Sequence, residues 1–241
     1  MLPDRMTAVV LRYFPVVGRA QPLRHALADA DVAFEDVQVL LSQWPQHKED
    51  PSFAGPYCGL PTLSWGPVMV SETLPIATFL ARRLGQYDGL DDAATARLEG
   101  VCSNCYIEVT LRIGEILWAD LLYPGSDLAG ALPFHLARML DKLTRLDKQI
   151  PETGWLGGRN PTMADFFAAE AVEALRYMLG PAREEKLRAR LPHLFALAQR
   201  VKDRPAVARV WQSRPQQFTA RPDEAAVIER LRALDLSPAA L

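Results

Sequence analysis

Apolar positions in the first third of the chain switch between two periods. Residues 7–13 form a β-branched and apolar run long enough for a buried strand. Residues 21–30 place Leu23, Ala26, Leu27 and Ala30 on one face at helical spacing, and Pro22 is acceptable in a first turn. Residues 34–40 read as a second strand through Phe34, Val37 and Val39. Three prolines break the polar stretch 42–56, which predicts a loop with at most a short helix. The runs LPTLSW and VMV predict two short strands around a turn at Gly66 and Pro67. A helix over 73–84 closes the series, with Ile76, Phe79, Leu80 and Leu84 as its buried stripe.

This order, β-α-β-(α)-β-β-α, combines a parallel βαβ unit with an antiparallel hairpin. A segment rich in glycine and acid follows and predicts a linker. Beyond it come long helical segments, roughly 92–121, 128–149, 162–179, 183–190 and 192–212, with no strand-like alternation. The expected division is an α/β domain over 1–85, a linker at 86–92, an all-helical domain over 93–215 and a C-terminal extension over 216–241. The extension carries PDEAAVIERLRALDL, a short amphipathic helix with acid first and base later. It could fold over a site, pack on a partner subunit or decorate the surface.

Composition narrows the picture by exclusion. With 241 residues, 49% hydrophobic and 23% charged, the chain has ample material for a core. A net charge of -2 gives no electrostatic basis for a nucleic acid or anionic membrane partner. No run approaches the roughly eighteen apolar residues of a membrane span. Residues 1–5 lack the basic-then-apolar pattern of a signal peptide, and three cysteines are an odd count for a disulfide framework. The expectation is a cytoplasmic, metal-free protein.

The candidate chemistry starts where the first strand meets the first helix, at YFPVVGRAQPLRHAL. Alone, Tyr13 is a strand-end aromatic. With Phe14, Gly18, Arg19, Ala20 and Arg24 in register, the stretch resembles the opening of the tyrosine-type cytosolic glutathione transferases, most like the pi class. The resemblance spans about 7 to 213 and implies the glutathione transferase fold: α/β plus all-α, a thioredoxin-like N-terminal domain followed by an all-helical one. It also implies glutathione as co-substrate, a small hydrophobic electrophile, and a homodimer.

The role it implies for Tyr13 is physically sound. A free thiol has a pKa of about 8.5 and reacts as the thiolate. A phenol donating to the sulfur favours the anion by about 1.5–3 kcal/mol, which lowers the thiol pKa by roughly one to two units. Tyrosine, with a pKa of about 10, stays a protonated donor meanwhile.

Further roles are implied residue by residue. Pro61, in GLPTL, would follow a cis bond, so that Leu60 offers its N–H and C=O to the cysteinyl backbone of glutathione like an added strand. In SETLPI, Glu72 would accept from the γ-glutamyl ammonium, and Thr73 would cap a helix whose free N–H groups suit the carboxylate. Trp44 would hold the glycyl end, with either Lys48 or Arg19 as its cation. Phe14 and Val16 would line the electrophile pocket, joined by Ile116, Trp118 and Asp120 from the first long helix. The sequence departs from the pattern at Val17, Gly59, Thr73 and Pro75.

Other features read as structural. Thr162 and Asp165 form a capping box ahead of an apolar helix. Cys102 and Cys105 are a C-x-x-C inside a helix, with no second pair for zinc. Cys58 lies three residues before Pro61 and is a candidate for oxidation. His25, His47, His135 and His193 have no ligand spacing. A thiol-transferase would need a cysteine in 13–21, where there is none. A non-catalytic binding protein of the same fold and a glutathione-dependent isomerase remain as rivals.

Overall fold

The computed structural model describes residues 8–123, 125 and 128–234. The pattern read at 1–5 and the last residues of the extension lie outside them.

Strand β1 (Val9–Tyr13) pairs in parallel with β2 (Glu35–Gln38) through helix α1 (Gln21–Asp29). The hairpin of β3 (Thr62–Trp65) and β4 (Val68–Ser71) adds antiparallel on the other side, giving the order β2-β1-β3-β4. Leu11 and Leu63 sit opposite each other in the register and are fully buried. Gly66 makes the hairpin turn at φ 58. The polar stretch before β3 holds two four-residue helices, α2 (Trp44–His47) and α3 (Pro51–Ala54), each opened near a proline. Helix α4 (Thr73–Arg83) follows β4. The linker ends at Asp91, whose carboxylate accepts from Ala94 N–H at 2.7 Å and so starts α5 (Asp92–Cys105).

The helical domain then departs from the expected segments in two places. The first long helix is not continuous: a π-turn, Tyr106–Leu111, separates α5 from α6 (Arg112–Leu122). Such a turn lets one extra residue into the helix and rotates all that follows. The expected helix over 192–212 is likewise two helices, α10 (Pro192–Lys202) and α11 (Pro205–Gln212). Pro205 imposes an extended conformation on Arg204, which ends the first of them. Between these lie α7 (Leu128–Asp147), α8 (Met163–Leu179) and α9 (Glu184–Arg190), and α12 (Glu224–Ala233) ends the described chain. None of the helices among the described residues is long and apolar enough to cross a membrane.

Helix α8 is the axis of the helical domain. All thirteen positions from Met163 to Leu175 are buried, and three of them, Asp165, Glu170 and Glu173, are acids with fixed partners. The Asp165 carboxylate accepts from Thr162 N–H at 2.8 Å, Thr162 Oγ1 at 2.9 Å and Leu156 N–H at 2.9 Å. Glu170 meets the His25 ring at 2.8 Å across the domain boundary. His25 also stacks on Trp211 of α11 at 5.2 Å, so α1 is locked to the helical domain through its buried face.

Replacing Asp165 with alanine leaves three buried donors without an acceptor. At about 1–3 kcal/mol per unsatisfied group, the Asp165→Ala variant is expected to lose at least about 3 kcal/mol of stability. Urea unfolding checks this, and a loss below about 1 kcal/mol would count against the capping role.

Candidate active site

The last residue of β1, Tyr13, turns its hydroxyl into the loop that leads to α1. Its ring is 6% exposed, and its Oη accepts a hydrogen bond from Arg19 N–H at 3.1 Å. The loop curls back on the phenol because Gly18 takes φ +37. A Cβ at Gly18 would lie 2.7 Å from Tyr13 Oη and 3.1 Å from the Phe218 carbonyl oxygen, so no side chain fits. Arg24, buried on α1, braces the same loop: it donates to Val16 O at 2.9 Å and to Asp36 of β2. Its guanidinium lies 5.9 Å from the centre of the Tyr13 ring. Burial raises the Tyr13 pKa above its ordinary value, against the opposing pull of Arg19 and Arg24. The hydroxyl is therefore a protonated donor across the physiological range, with its oxygen already bonded and its proton free for a ligand.

Beside it lies a cleft of about 450 Å³ between the two domains. From the α/β domain it receives Tyr13, Phe14, Val16, Arg19, Trp44 and Leu60, with Cys58, Gly59 and Glu72 at one end. Phe14 and Trp44 meet edge to face at 5.7 Å. The peptide bond between Leu60 and Pro61 is cis, and the Leu60 N–H and C=O take no part in the loop hydrogen bonds. Gly59 lies beside the Glu72 carboxylate, and a Cβ there would stand 3.6 Å from Glu72 Oε1, an ordinary contact.

Glu72 holds φ 71, a conformation that side chains rarely adopt and that costs of order 1–3 kcal/mol. It is the cap position of α4: its carbonyl accepts from Ile76 N–H at 3.0 Å. The helix begins at Thr73, as the sequence pattern suggested, but its cap is Glu72. Thr73 is its first turn rather than its cap, and its Oγ1 is buried without a hydrogen-bond partner. Thr73 is fully buried and does not itself line the cleft; its orphaned hydroxyl stands beside the free N–H groups of the helix start, a setting that suits a carboxylate.

Three more expected residues stand elsewhere. Lys48 is exposed at the end of α2 and does not line the cleft, whereas Arg19 does. Asp120 faces away, paired with Arg221 and Arg230, and Ile116 is packed in the core. Thr110 of the π-turn and Gly114 and Trp118 of α6, spaced by four, face the cleft, with Leu111, Glu115 and Leu122 alongside. Ile116 and Asp120, each two positions from Trp118, are about 200° round the helix from it and so point elsewhere. Also unread in the sequence were Phe218, Thr219 and Ala220, which form the remaining wall.

Residues set aside earlier stay outside the cleft, Cys58 excepted. Burial pushes the Cys105 thiol up to about 12 and the Cys102 thiol up as well. No group of three or more His, Cys, Asp or Glu among the described residues could hold a metal. A larger hollow of about 640 Å³ lies between α5 and α7, but none of the sequence-predicted site residues lines it.

Comparison with known proteins agrees with this architecture. Residues 119–214 match the family model of the glutathione S-transferase C-terminal domain. Hematopoietic prostaglandin D synthase of Gallus gallus is 26% identical over 211 residues, 85% of this chain and 96% of that one. Over residues 119–214 the chain is thus similar to the C-terminal domain of the glutathione S-transferases. Another relative, glutathione S-transferase P of Capra hircus, is 27% identical over 131 residues, 54% of this chain and 60% of that one. Among solved structures, rat hPGDS complexed with a quinoline superposes with a TM-score of 0.70 at 22% identity, covering 88% of this chain and all of that one. A nematode C. elegans specific GST does so at 0.73 and 22%, over 89% of this chain. The fold is therefore the glutathione S-transferase fold, and Tyr13 sits at the head of its inter-domain cleft.

The close approach at Gly18 carries a prediction. Gly18→Ala is expected to cost about 1–3 kcal/mol from φ strain and the clash with Tyr13. The phenol would be displaced, so ligand affinity in the cleft should fall at least threefold. Thermal unfolding with a glutathione titration checks both, and a variant matching the native protein in each would show that the loop has slack.

Proposed function

We propose that this chain is a tyrosine-type glutathione S-transferase, with pi-class features in its first turn, that conjugates glutathione to hydrophobic electrophiles. One observation carries the reading: the buried Tyr13 hydroxyl has its oxygen occupied by Arg19 N–H and its proton available to the cleft. In this role it donates to the glutathione sulfur and holds it as thiolate. The thiolate attacks the electrophilic carbon, a new S–C bond forms, and the leaving group departs with its bonding electrons.

The other roles follow from position. Leu60, ahead of Pro61, pairs with the cysteinyl backbone, and Glu72 accepts from the γ-glutamyl ammonium. The Thr73 hydroxyl and the first turn of α4 receive the γ-glutamyl carboxylate. Trp44 and Arg19 hold the glycyl end, because Arg19 and not Lys48 lines the cleft. Phe14 and Val16, with Trp118, face the electrophile. The same constellation serves a glutathione-dependent isomerase, in which the thiolate adds and is later expelled; the likeness to the prostaglandin D synthase over 85% of the chain favours keeping this second reading.

A cytoplasmic homodimer completes the proposal. It is supported by an apolar hollow of about 790 Å³ on the outer face of α4, where Val70, Leu74, Pro75 and Phe79 stand beside Arg82 and Arg83. A solved neighbour of TM-score 0.71, Na-GST-3 of Necator americanus, is monomeric, so the point needs measurement. Sedimentation at micromolar concentration should give a mass of about twice 26.8 kDa. A species of 26.8 kDa would remove the dimer.

For the chemistry, the decisive comparison is native protein against Tyr13→Phe with a chlorinated nitroaromatic. Conjugation at pH 6.5 should fall at least tenfold, about 1.4 kcal/mol, with KM for glutathione within about twofold. The raised Tyr13 pKa keeps it protonated from pH 6 to 9. The rising limb of the native rate therefore belongs to the bound thiol. Losing the donor should move that limb up by roughly one to two pH units. An unchanged rate and limb would remove Tyr13 from its role.

A further inference from the structure

The stretch between α11 and α12 crosses the cleft as a strap. Gln217 O accepts from Val17 N–H at 2.9 Å, which seats the strap on the Tyr13 loop. Phe218, Thr219 and Ala220 then face the cleft. Two buried charges hold this arrangement from behind. Glu224, fully buried at the start of α12, accepts from Phe218 N–H at 2.7 Å, Thr219 N–H at 2.6 Å, the Thr219 hydroxyl and the Tyr177 hydroxyl. It closes the strap into a tight loop.

Arg221, 2% exposed, ties that loop to α6. Its guanidinium donates to Leu117 O at 2.6 Å, to both oxygens of Asp120, and to both oxygens of Asp223 at 2.6 and 2.9 Å. Leu117 immediately precedes Trp118, which lines the cleft on the opposite side. One side chain thus ties the far end of the strap to the facing wall on α6. Lysine could not do this, because a point charge has no planar fork to reach a carbonyl and two carboxylates at once.

We propose that Arg221 is a positioning residue that fixes the strap Phe218–Ala220 against α6 and so sets the size of electrophile the cleft admits. The proposal rests on the transferase reading above and deepens it. Arg221 clamps the strap at its far end, whereas the near end meets the Tyr13 loop through Gln217 and Phe218. Glutathione binding and thiolate formation stay with the α/β domain and should be insensitive to it.

The test compares a small chlorinated nitroaromatic with a polycyclic arene epoxide, in native protein, Arg221→Gln and Ala220→Leu. Arg221→Gln frees the strap; Ala220→Leu narrows the cleft without disturbing a buried charge. The ratio of kcat/KM for the large over the small electrophile should rise at least fivefold in the first and fall at least fivefold in the second. In both, KM for glutathione should stay within about twofold of native. Ratios that remain within twofold of native in both variants overturn the proposal, as does a loss in which both electrophiles and glutathione decline together. If Arg221→Gln does not fold, Ala220→Leu decides alone. A native protein that conjugates neither electrophile and fails to bind glutathione sinks the transferase reading instead. Amide exchange then decides the strap: at least tenfold weaker protection at Phe218 and Thr219 in Arg221→Gln supports the clamp, and unaltered protection refutes it.

Discussion

The candidate site depends on a lack of space. At Gly18 three parts of the chain converge: the hydroxyl of Tyr13 from the sheet, the N–H of Arg19 from the loop, and the carbonyl of Phe218 from near the C-terminus. A single methyl group would force one of them away. The approach is possible because Gly18 adopts a positive φ that other residues take only at a cost. Arg24 then makes the bend permanent by spending its donors on the loop carbonyls and on Asp36. Sheet, loop and strap are in this way assembled around one phenol, which is buried enough to stay protonated and near enough to the cleft to donate.

The rest of the molecule holds this convergence still. His25 and Glu170 join α1 to α8, the most deeply buried helix, and Trp211 stacks on the histidine from α11. Gln86 in the linker accepts from Met163 N–H at 2.8 Å, so even the connection between the domains is pinned to α8. An inter-domain cleft keeps its shape only if the domains do not rock. Here one apolar core runs through both domains, and buried polar groups with few alternative pairings fix its register.

Much of the α/β domain was legible because its signals are local. Alternation and β-branching gave the strands, Pro22 and Pro61 marked element starts, and the run from Tyr13 to Arg24 is continuous in sequence, so its residues could be judged together. Trp44, Leu60, Glu72 and Arg19 were likewise readable, and the structure gathers them at one cleft. What escaped was whatever depends on distant parts meeting. Asp120 was placed in the pocket by its resemblance to the family pattern, although two positions from Trp118 it cannot share that residue's face of the helix; its partner, Arg221, lies 101 residues away. The choice between Arg19 and Lys48 turned on where two loops point, which no spacing records. The extension could be given an amphipathic helix but not a destination, since Glu224 acts through residues that precede its own helix.

The π-turn has a consequence for how this chain relates to its kin. Each residue advances a helix by about 100°, so removing one residue from Tyr106–Leu111 would turn the wall made by Gly114 and Trp118 through that angle. The α/β domain, with Tyr13, would be untouched. Relatives that lack the extra residue can therefore share the first turn and the sheet while presenting a different set of side chains to their second substrate. A one-residue indel in a long helix, silent in most sequence comparisons, is enough to separate them.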